Sequence, residues 1–322
     1  MKLRGSTEAA KYEKASEKLN EVIEETSKVI VGQEEILENI LISIISDGNI
    51  LLESNPGLGK TKMIETLSEV LGLDFSRIQN TPDLMPSDIT GTHIINENED
   101  GEKEFVFQEG PIFANMILAD EINRATPKTQ SALLEAMQEK QVTAGNESYQ
   151  LESPFFLMAT QNPIDNEGTF PIPEAQKDRF MMKLKLDYPD NIDENKIVER
   201  FTEELDYSPH LEHVLSQPSV IKLQEFTRQV PIADDIREKA VDIVSKTREH
   251  EDLDYGASPR ASMNLVMAAK GRALIEERKY VSEKDIKHMA KPVLRHRIGL
   301  SFKAEKKGKN PDQVVEDIVE SM

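Results

Sequence analysis

Apolar residues recur at helical spacing in two stretches near the amino terminus. Across residues 16–30, Leu19, Val22, Ile23 and Ile30 share a face, and across 33–46 the set Ile36, Leu37, Ile40, Leu41, Ile44 and Ile45 does the same. Both stretches predict core helices. Gly48 ends the second, and Asn49-Ile50-Leu51-Leu52-Glu53 reads as a short buried strand running into a loop rich in glycine and proline. A helix over residues 60–71 follows, closed by Gly72. Residues 92–107 read as a hairpin, with Asp100-Gly101 as the turn and Phe105 and Phe107 alternating on the return strand. Met116-Ile117-Leu118-Ala119 is a second buried strand, and Thr126-Pro127 opens a helix carrying Leu133, Leu134 and Met137. Phe155-Phe156-Leu157-Met158-Ala159-Thr160 is a third strand. Strands alternating with helices imply right-handed crossovers and a parallel sheet, with ligand sites at the carboxyl ends of the strands. After Tyr188-Pro189 the strand signal gives way to charged, helix-favouring sequence over 236–247, 259–277 and 282–289. The expected organisation is an α/β core over 1–190, a linker over 191–218, an all-helical domain over 219–300 and a charged, solvated helix or tail over 301–322.

Composition narrows the function classes. At 322 residues the chain has room for two domains with separate cores, and with 38% hydrophobic and 30% charged residues it is expected to fold. Its 39 Lys and Arg against 59 Asp and Glu give a net charge of −20, which repels a phosphate backbone. The absence of cysteine excludes disulfides, thiol nucleophiles and cysteine-ligated metals. Met1-Lys2-Leu3-Arg4-Gly5 lacks the apolar core of a signal peptide, and no run approaches a membrane span, so a cytoplasmic location is expected.

The candidate chemistry lies at the strand ends. Ser54-Asn55-Pro56-Gly57-Leu58-Gly59-Lys60-Thr61 stands between a strand and a helix, where loop amides and a helix amino terminus cradle phosphates. In that pattern Lys60 holds the β and γ phosphates of a nucleotide and Thr61 ligates Mg²⁺. Ser54 occupies the first position, where the pattern has glycine, and accepts more steric restriction. A phosphate loop also needs an acid to hold the metal and another to orient or deprotonate water. Asp120 and Glu121, at the end of an apolar strand, supply both, with Asp120 directed at the metal. Asn162, beyond the third strand, is either a γ-phosphate contact or simply a turn former before Pro163. In Ser258-Pro259-Arg260 the serine and proline look like the cap and first residue of a helix. That placement puts the Arg260 cation at the positive end of the helix dipole, which costs energy unless an anion sits there. Arg179 could reach a phosphate, or pair with Asp178 or a nearby glutamate.

From about Val31 to about Leu300 these segments resemble the MoxR family of AAA+ ATPases. The resemblance rests on Thr81-Pro82-Asp83-Leu84, Pro86-Ser87-Asp88-Ile89-Thr90-Gly91 and Asp120-Glu121-Ile122-Asn123-Arg124-Ala125. It extends through residues 128–139, Ala159-Thr160-Gln161-Asn162-Pro163, Pro173-Glu174-Ala175-Gln176, Asp178-Arg179-Phe180, Gly256-Ala257-Ser258-Pro259-Arg260-Ala261 and Pro292-Val293-Leu294-Arg295-His296-Arg297. It implies a P-loop core with a helical lid, ATP and Mg²⁺ as ligands, Lys60 and Thr61 in Walker A, Asp120 and Glu121 in Walker B and Asn162 as first sensor. It further implies Arg179 as a finger offered to a neighbouring subunit, Arg260 as second sensor on the lid, and Val31-Gly32-Gln33 lining the adenine pocket. Two positions depart from the family pattern: Ser54, and Lys177, where an apolar residue is usual.

The resemblance also implies a ring, usually a hexamer, in which the 92–107 and 141–151 segments project as insertions and couple hydrolysis to a client protein or complex. Members are similar to metal-insertion and complex-maturation chaperones that often work with a von Willebrand A-type protein, a domain for which this chain has no room. The nearest rival is the motor subunit of a metal chelatase, with the same ATP chemistry. A nucleic-acid motor is disfavoured by the acidic charge, and a slow nucleotide-gated scaffold by the intact Glu121.

Overall fold

The computed structural model describes residues 8–97, 103–163, 168–203, 207 and 209–322. The expected Asp100-Gly101 turn and the segment Met1-Lys2-Leu3-Arg4-Gly5 lie outside the described residues. Helices α1 (Glu8–Ser27) and α2 (Glu34–Ile45) precede strand β1 (Ile50–Ser54), helix α3 (Lys60–Val70), strand β2 (Phe75–Gln79) and a short helix α4 (Pro86–Thr90). A hairpin of β3 (Gly91–Glu97) and β4 (Lys103–Glu109) follows, then β5 (Met116–Asp120), a 3-10 turn at Ile122–Arg124 and α5 (Pro127–Glu139). A second hairpin, β6 (Gln141–Ala144) and β7 (Glu147–Gln150), leads to β8 (Phe156–Gln161), α6 (Glu174–Lys177) and β9 (Met182–Leu186). The remainder comprises α7 (Asn191–Glu203), α8 (Gln217–Gln229), α9 (Asp234–Thr247), β10 (Leu253–Tyr255), α10 (Pro259–Ile275), α11 (Glu283–Leu294), β11 (Gly299–Leu300), α12 (Phe302–Lys306) and α13 (Pro311–Glu320).

The central sheet has five parallel strands in the order β2-β5-β8-β1-β9. Its inner strands are the continuous apolar runs that the sequence displays, because helices cover both faces. Alternation along each strand sends residues into two separate cores. Leu51, Ile117, Ala119 and Leu157 join α5 on one side, whereas Ile50, Leu52, Leu118 and Met158 join the amino-terminal helices on the other. The two edge strands have no such run. Phe-Ser-Arg-Ile-Gln in β2 exposes Arg77 and Gln79, and Met-Lys-Leu-Lys-Leu in β9 alternates buried and half-buried positions, so neither carries the signal of a fully buried strand.

The second core does not stop at the sheet. It runs through α1, α2 and α3 into α8, α9, α10, α11 and α13, so sheet domain and lid share one apolar cluster. Polar contacts seal the junction: Ser16 Oγ donates to the Ile275 carbonyl at 2.9 Å, Ser46 Oγ to Met267 at 3.2 Å and Gln224 Nε2 to Ile44 at 2.8 Å. Residues 191–218, expected as a linker, contain α7, and Val214 N donates to the Val70 carbonyl at 2.9 Å. The lid is helical apart from the β10–β11 pair. The expectation of a solvated terminal segment at 301–322 is corrected. On α13, Val314, Val315 and Ile318 are fully buried, while its acids face outward or pair with Lys185, Lys291 and Arg295. High charge masked an amphipathic helix.

The two hairpins stand off the sheet and touch each other. Phe107 stacks on Tyr149 with ring centroids 3.9 Å apart, and Tyr149 Oη lies 3.2 Å from His93 Nε2. Farther out, β3 and β4 expose Ile95 opposite Phe105. Among the described residues no helix is long and apolar enough to cross a membrane. Ile318→Ala is expected to cost about 2–4 kcal/mol in denaturant unfolding, because it opens a cavity in the shared core. Glu320→Ala, on the exposed side of the same helix, should change stability by less than about 0.5 kcal/mol.

Candidate active site

The loop after β1 owes its shape to two glycines. Gly57 has φ 83° and Gly59 has φ 72°, conformations that side-chain-bearing residues rarely adopt, and a Cβ at either would meet nothing within 4 Å. The space they leave is an open cradle in front of the loop. Gly59 caps α3 in the left-handed region, so Lys60 and Thr61 fall in that helix's first turn, where unpaired amides and the helix dipole favour an anion. Ser54, in place of glycine, is the last residue of β1, buried and outside the left-handed region; its hydroxyl donates to the Asn55 carbonyl at 3.1 Å. The substitution therefore costs no backbone strain. Lys177 is accommodated as simply, paired with Glu174 at 2.7 Å.

Beside the loop is a cavity of about 360 Å³. Val31 and Gln33 form one wall, Pro56 and Leu58 another, and Ile197 and Phe201 of α7 close it. The Val31-Gly32-Gln33 segment and the phosphate loop are thus brought together. Gly32 has φ 70°, and a Cβ there would overlap the Asp193 carboxylate of α7, so this turn requires glycine twice over. The pocket wall supplied by α7 was missed because its residues read as charged linker.

The acidic pair sits at the end of β5. Asp120 is 6% exposed, and its carboxylate accepts from Thr160 Oγ1 at 2.6 Å and from the Arg77 guanidinium at 2.6 Å. Burial pushes the Asp120 carboxyl upward, but those two bonds and the charge of Lys60 outweigh it and hold the group below its ordinary range. Asp120 is therefore an anion facing the loop lysine. Glu121 adopts φ 54°, an uncommon conformation for a side-chain-bearing residue; its amide donates to Thr160 Oγ1 at 2.8 Å and its carboxylate accepts from Gln79 Nε2 at 3.0 Å. Arg124 lies 3.3 Å from the same carboxylate. Asn162, 7% exposed, follows β8 at the same end of the sheet. Arg77, Gln79 and Thr160 had no role in the sequence reading. Thr160 lies within a recognisable motif, whereas the other two stand on a strand that the pattern did not reveal.

Among the described residues no three His, Cys, Asp or Glu side chains form a metal cage. A single buried carboxylate together with a hydroxyl from the helix after the phosphate loop is nevertheless the sparse protein ligation that Mg²⁺ accepts when phosphates and waters supply the rest. Asp120 and Thr61 fit that requirement.

The two arginines lie elsewhere. Arg179 and Arg260 line one cleft with Asp47, Gly48 and Asn49, which precede β1, whereas the phosphate loop follows it. Five extended residues separate the two ends, roughly 15 Å. Arg260 therefore lies at the amino end of the sheet and not beside the chain's own phosphate loop. The anion demanded by its place at the start of α10 is Asp178, at 3.8 Å. Ser258, the N-cap residue of that helix, makes no capping bond; its hydroxyl donates to both Asp178 oxygens at 3.0 and 2.9 Å. Arg179 itself makes no ion pair among the described residues and is half-buried. Arg297 also binds Asp178, at 2.9 Å; burial pushes its guanidinium down to about 10 against the pull of that carboxylate, so it stays charged at neutral pH.

Residues 49–182 match the family model of the ATPase family associated with various cellular activities (AAA), and residues 245–318 match that of the AAA lid domain. The chain is 43% identical over 304 residues to YeaC of Bacillus subtilis, covering 94% of each protein. It is 40% identical over 313 residues to the Chaperone MoxR1 of Mycobacterium tuberculosis, covering 94% of this chain and 81% of that one. A crystal structure of a protein from Cytophaga hutchinsonii superposes with a TM-score of 0.90 at 42% identity, over 97% of this chain and 96% of that one.

Gly32→Ala is expected to weaken ATP binding by about tenfold, since an alanine forced to positive φ costs more than ~1 kcal/mol and drives α7 off the pocket. Calorimetry with ATP measures it, and an unchanged affinity would remove the 31–33 turn from the pocket wall.

Proposed function

The chain belongs to the MoxR family of AAA+ ATPases, and on that premise we propose that it couples Mg²⁺-dependent ATP hydrolysis, in a cytoplasmic ring of identical copies, to the remodelling or maturation of protein partners. The observation that carries the ring is the separation of the two arginines from the chain's own phosphate loop by the length of β1. A cation there has no phosphate of its own to neutralise, and a second copy can bring one to it. A hexamer with a von Willebrand A-type partner is the form that the family resemblance favours.

In this reading the amides of residues 55–61 and the Lys60 ammonium hold the β and γ phosphates. Thr61 and Asp120 hold Mg²⁺, which neutralises phosphate charge. Glu121 accepts a proton from the attacking water, and Asn162 orients that water or the γ-phosphate from the sheet side. Arg179 and Arg260 of the neighbouring copy stabilise the charge that builds on the transferring phosphoryl group. The hairpins carry the coupling to a client. Ile95 and Phe105 on β3 and β4 are 60% and 73% exposed, and the Phe107–Tyr149 stack ties that hairpin to the second one. Apolar side chains held out in water on a projecting hairpin suit contact with protein surfaces.

Glu121→Gln should bind ATP with affinity near that of the unaltered protein and turn it over about 10²- to 10⁴-fold more slowly, the range for loss of a general base. Steady-state hydrolysis measures this, and unchanged turnover would require another base. Arg179→Ala should bind ATP and lose about 10³-fold or more in turnover. Mixed with the equally inactive Lys60→Ala, it should recover part of the activity, because some interfaces then pair an intact loop with an intact finger. The mixing series needs confirmed subunit exchange; no recovery in demonstrably mixed assemblies would defeat action between copies.

A further inference from the structure

Arg297, in the turn after α11, is 4% exposed, and each of its five N–H donors has an acceptor. Nε donates to Asp178 Oδ1 at 2.9 Å. One terminal nitrogen donates to the Met181 carbonyl at 3.0 Å and to the Val293 carbonyl of the preceding helix α11. The other donates to the Asp178 carbonyl at 3.0 Å and to the Phe180 carbonyl. Four of the five bonds therefore cross from the lid to the segment 178–181. The carbonyls of Asp178 and Phe180 flank Arg179, so both neighbours of that residue are held by one planar fork. The bond to the Asp178 carboxylate fixes the anion with which Ser258 and Arg260 engage. Stability alone does not call for this arrangement, because a buried ion pair is often matched by apolar side chains of the same volume. What an apolar residue cannot do is hold four acceptors on one turn in fixed directions.

We propose that Arg297 is a positioning residue for ATP hydrolysis: it clamps the Asp178–Met181 turn so that Arg179 and Arg260 are presented as one rigid pair to the nucleotide of a neighbouring copy. This rests on the reading of Arg179 as acting between copies. A rigid pair is what phosphoryl transfer needs, since a misplacement of about 1 Å can cost on the order of 10²-fold in rate. Lysine in place of Arg297 keeps the charge but loses the fork, and one ammonium cannot reach all the acceptors.

The test is Arg297→Lys in the full chain. Its turnover should fall about 30- to 100-fold with KM within about twofold, because the loop and pocket lie at the far end of the sheet. Hydrogen exchange should show protection lost at the amides of residues 179–182 and kept in α10 and α11. Mixed with Lys60→Ala it should regain activity, as Arg179→Ala does; mixed with Arg179→Ala it should regain none, because both lesions sit on the same side of the interface. Normal turnover, unchanged protection at 179–182, or recovery with Arg179→Ala would each overturn the proposal. So would loss of protection throughout the lid together with loss of ATP affinity, which marks a scaffold residue. If Arg297→Lys does not fold, Asp178→Asn, which keeps volume and shape, carries the same expectations. Failure of the Lys60→Ala and Arg179→Ala pair to complement would defeat the reading between copies alone, and the protection pattern with the KM-against-kcat split would still decide whether Arg297 sets the turn.

Discussion

All five strands of the sheet run the same way, and this gives its two ends different chemistry. At the carboxyl ends of β1, β5 and β8 lie the phosphate loop, the acidic pair and Asn162, arranged around helix amino termini and loop amides that attract anions. At the amino end lie Arg179, Arg260 and the turn at Gly48, with the lid packed beside them. The division follows from strand direction, so no adjustment of side-chain rotamers within one chain can bring the two halves together.

Within the acidic half, electrostatics and burial oppose each other and the outcome is decided by neighbours. Removing Asp120 from water favours its protonated form, yet the Thr160 hydroxyl, the Arg77 guanidinium and the Lys60 charge together keep it ionised. Thr160 serves both acids, donating to the Asp120 carboxylate and accepting from the Glu121 amide. That second bond helps hold Glu121 in its left-handed conformation. The strands next to β5 therefore do more than complete the sheet: β8 supplies the hydroxyl, and β2 supplies Arg77 and Gln79.

Two of the contacts that fasten the lid to the sheet domain are unlike in kind. One apolar cluster extends from α1 and α2 through the sheet into α8, α10 and α11 and is insensitive to direction. The Asp178 carboxylate, engaged by Ser258, Arg260 and Arg297, is directional and sits where Arg179 leaves the sheet. The cluster keeps the domains together, and the carboxylate sets how they meet. The stacked Phe107 and Tyr149 perform a comparable task for the two hairpins.

Local sequence determined the parts of this protein whose physics is local. The phosphate loop, Asp120 and Glu121 were legible because a turn that needs glycines, a helix start and a strand end are written in a few consecutive residues, and the three inner strands because burial on both faces leaves an unbroken apolar run. Arg260 was legible as a cation in need of an anion, from its place beside Ser258 and Pro259, but the identity of that anion was not. Tertiary structure alone decided the rest. β2 and β9 are edge strands with polar positions, α7 becomes a pocket wall only by lying against Val31 and Gln33, and α13 is anchored by three apolar residues within a charged stretch. The Arg297–Asp178 contact spans 119 residues of chain, and its acceptors are mostly backbone carbonyls, which carry no residue-specific mark. A periodicity reports which face a residue turns inward; which residue it meets there is set by the packing of the elements around it.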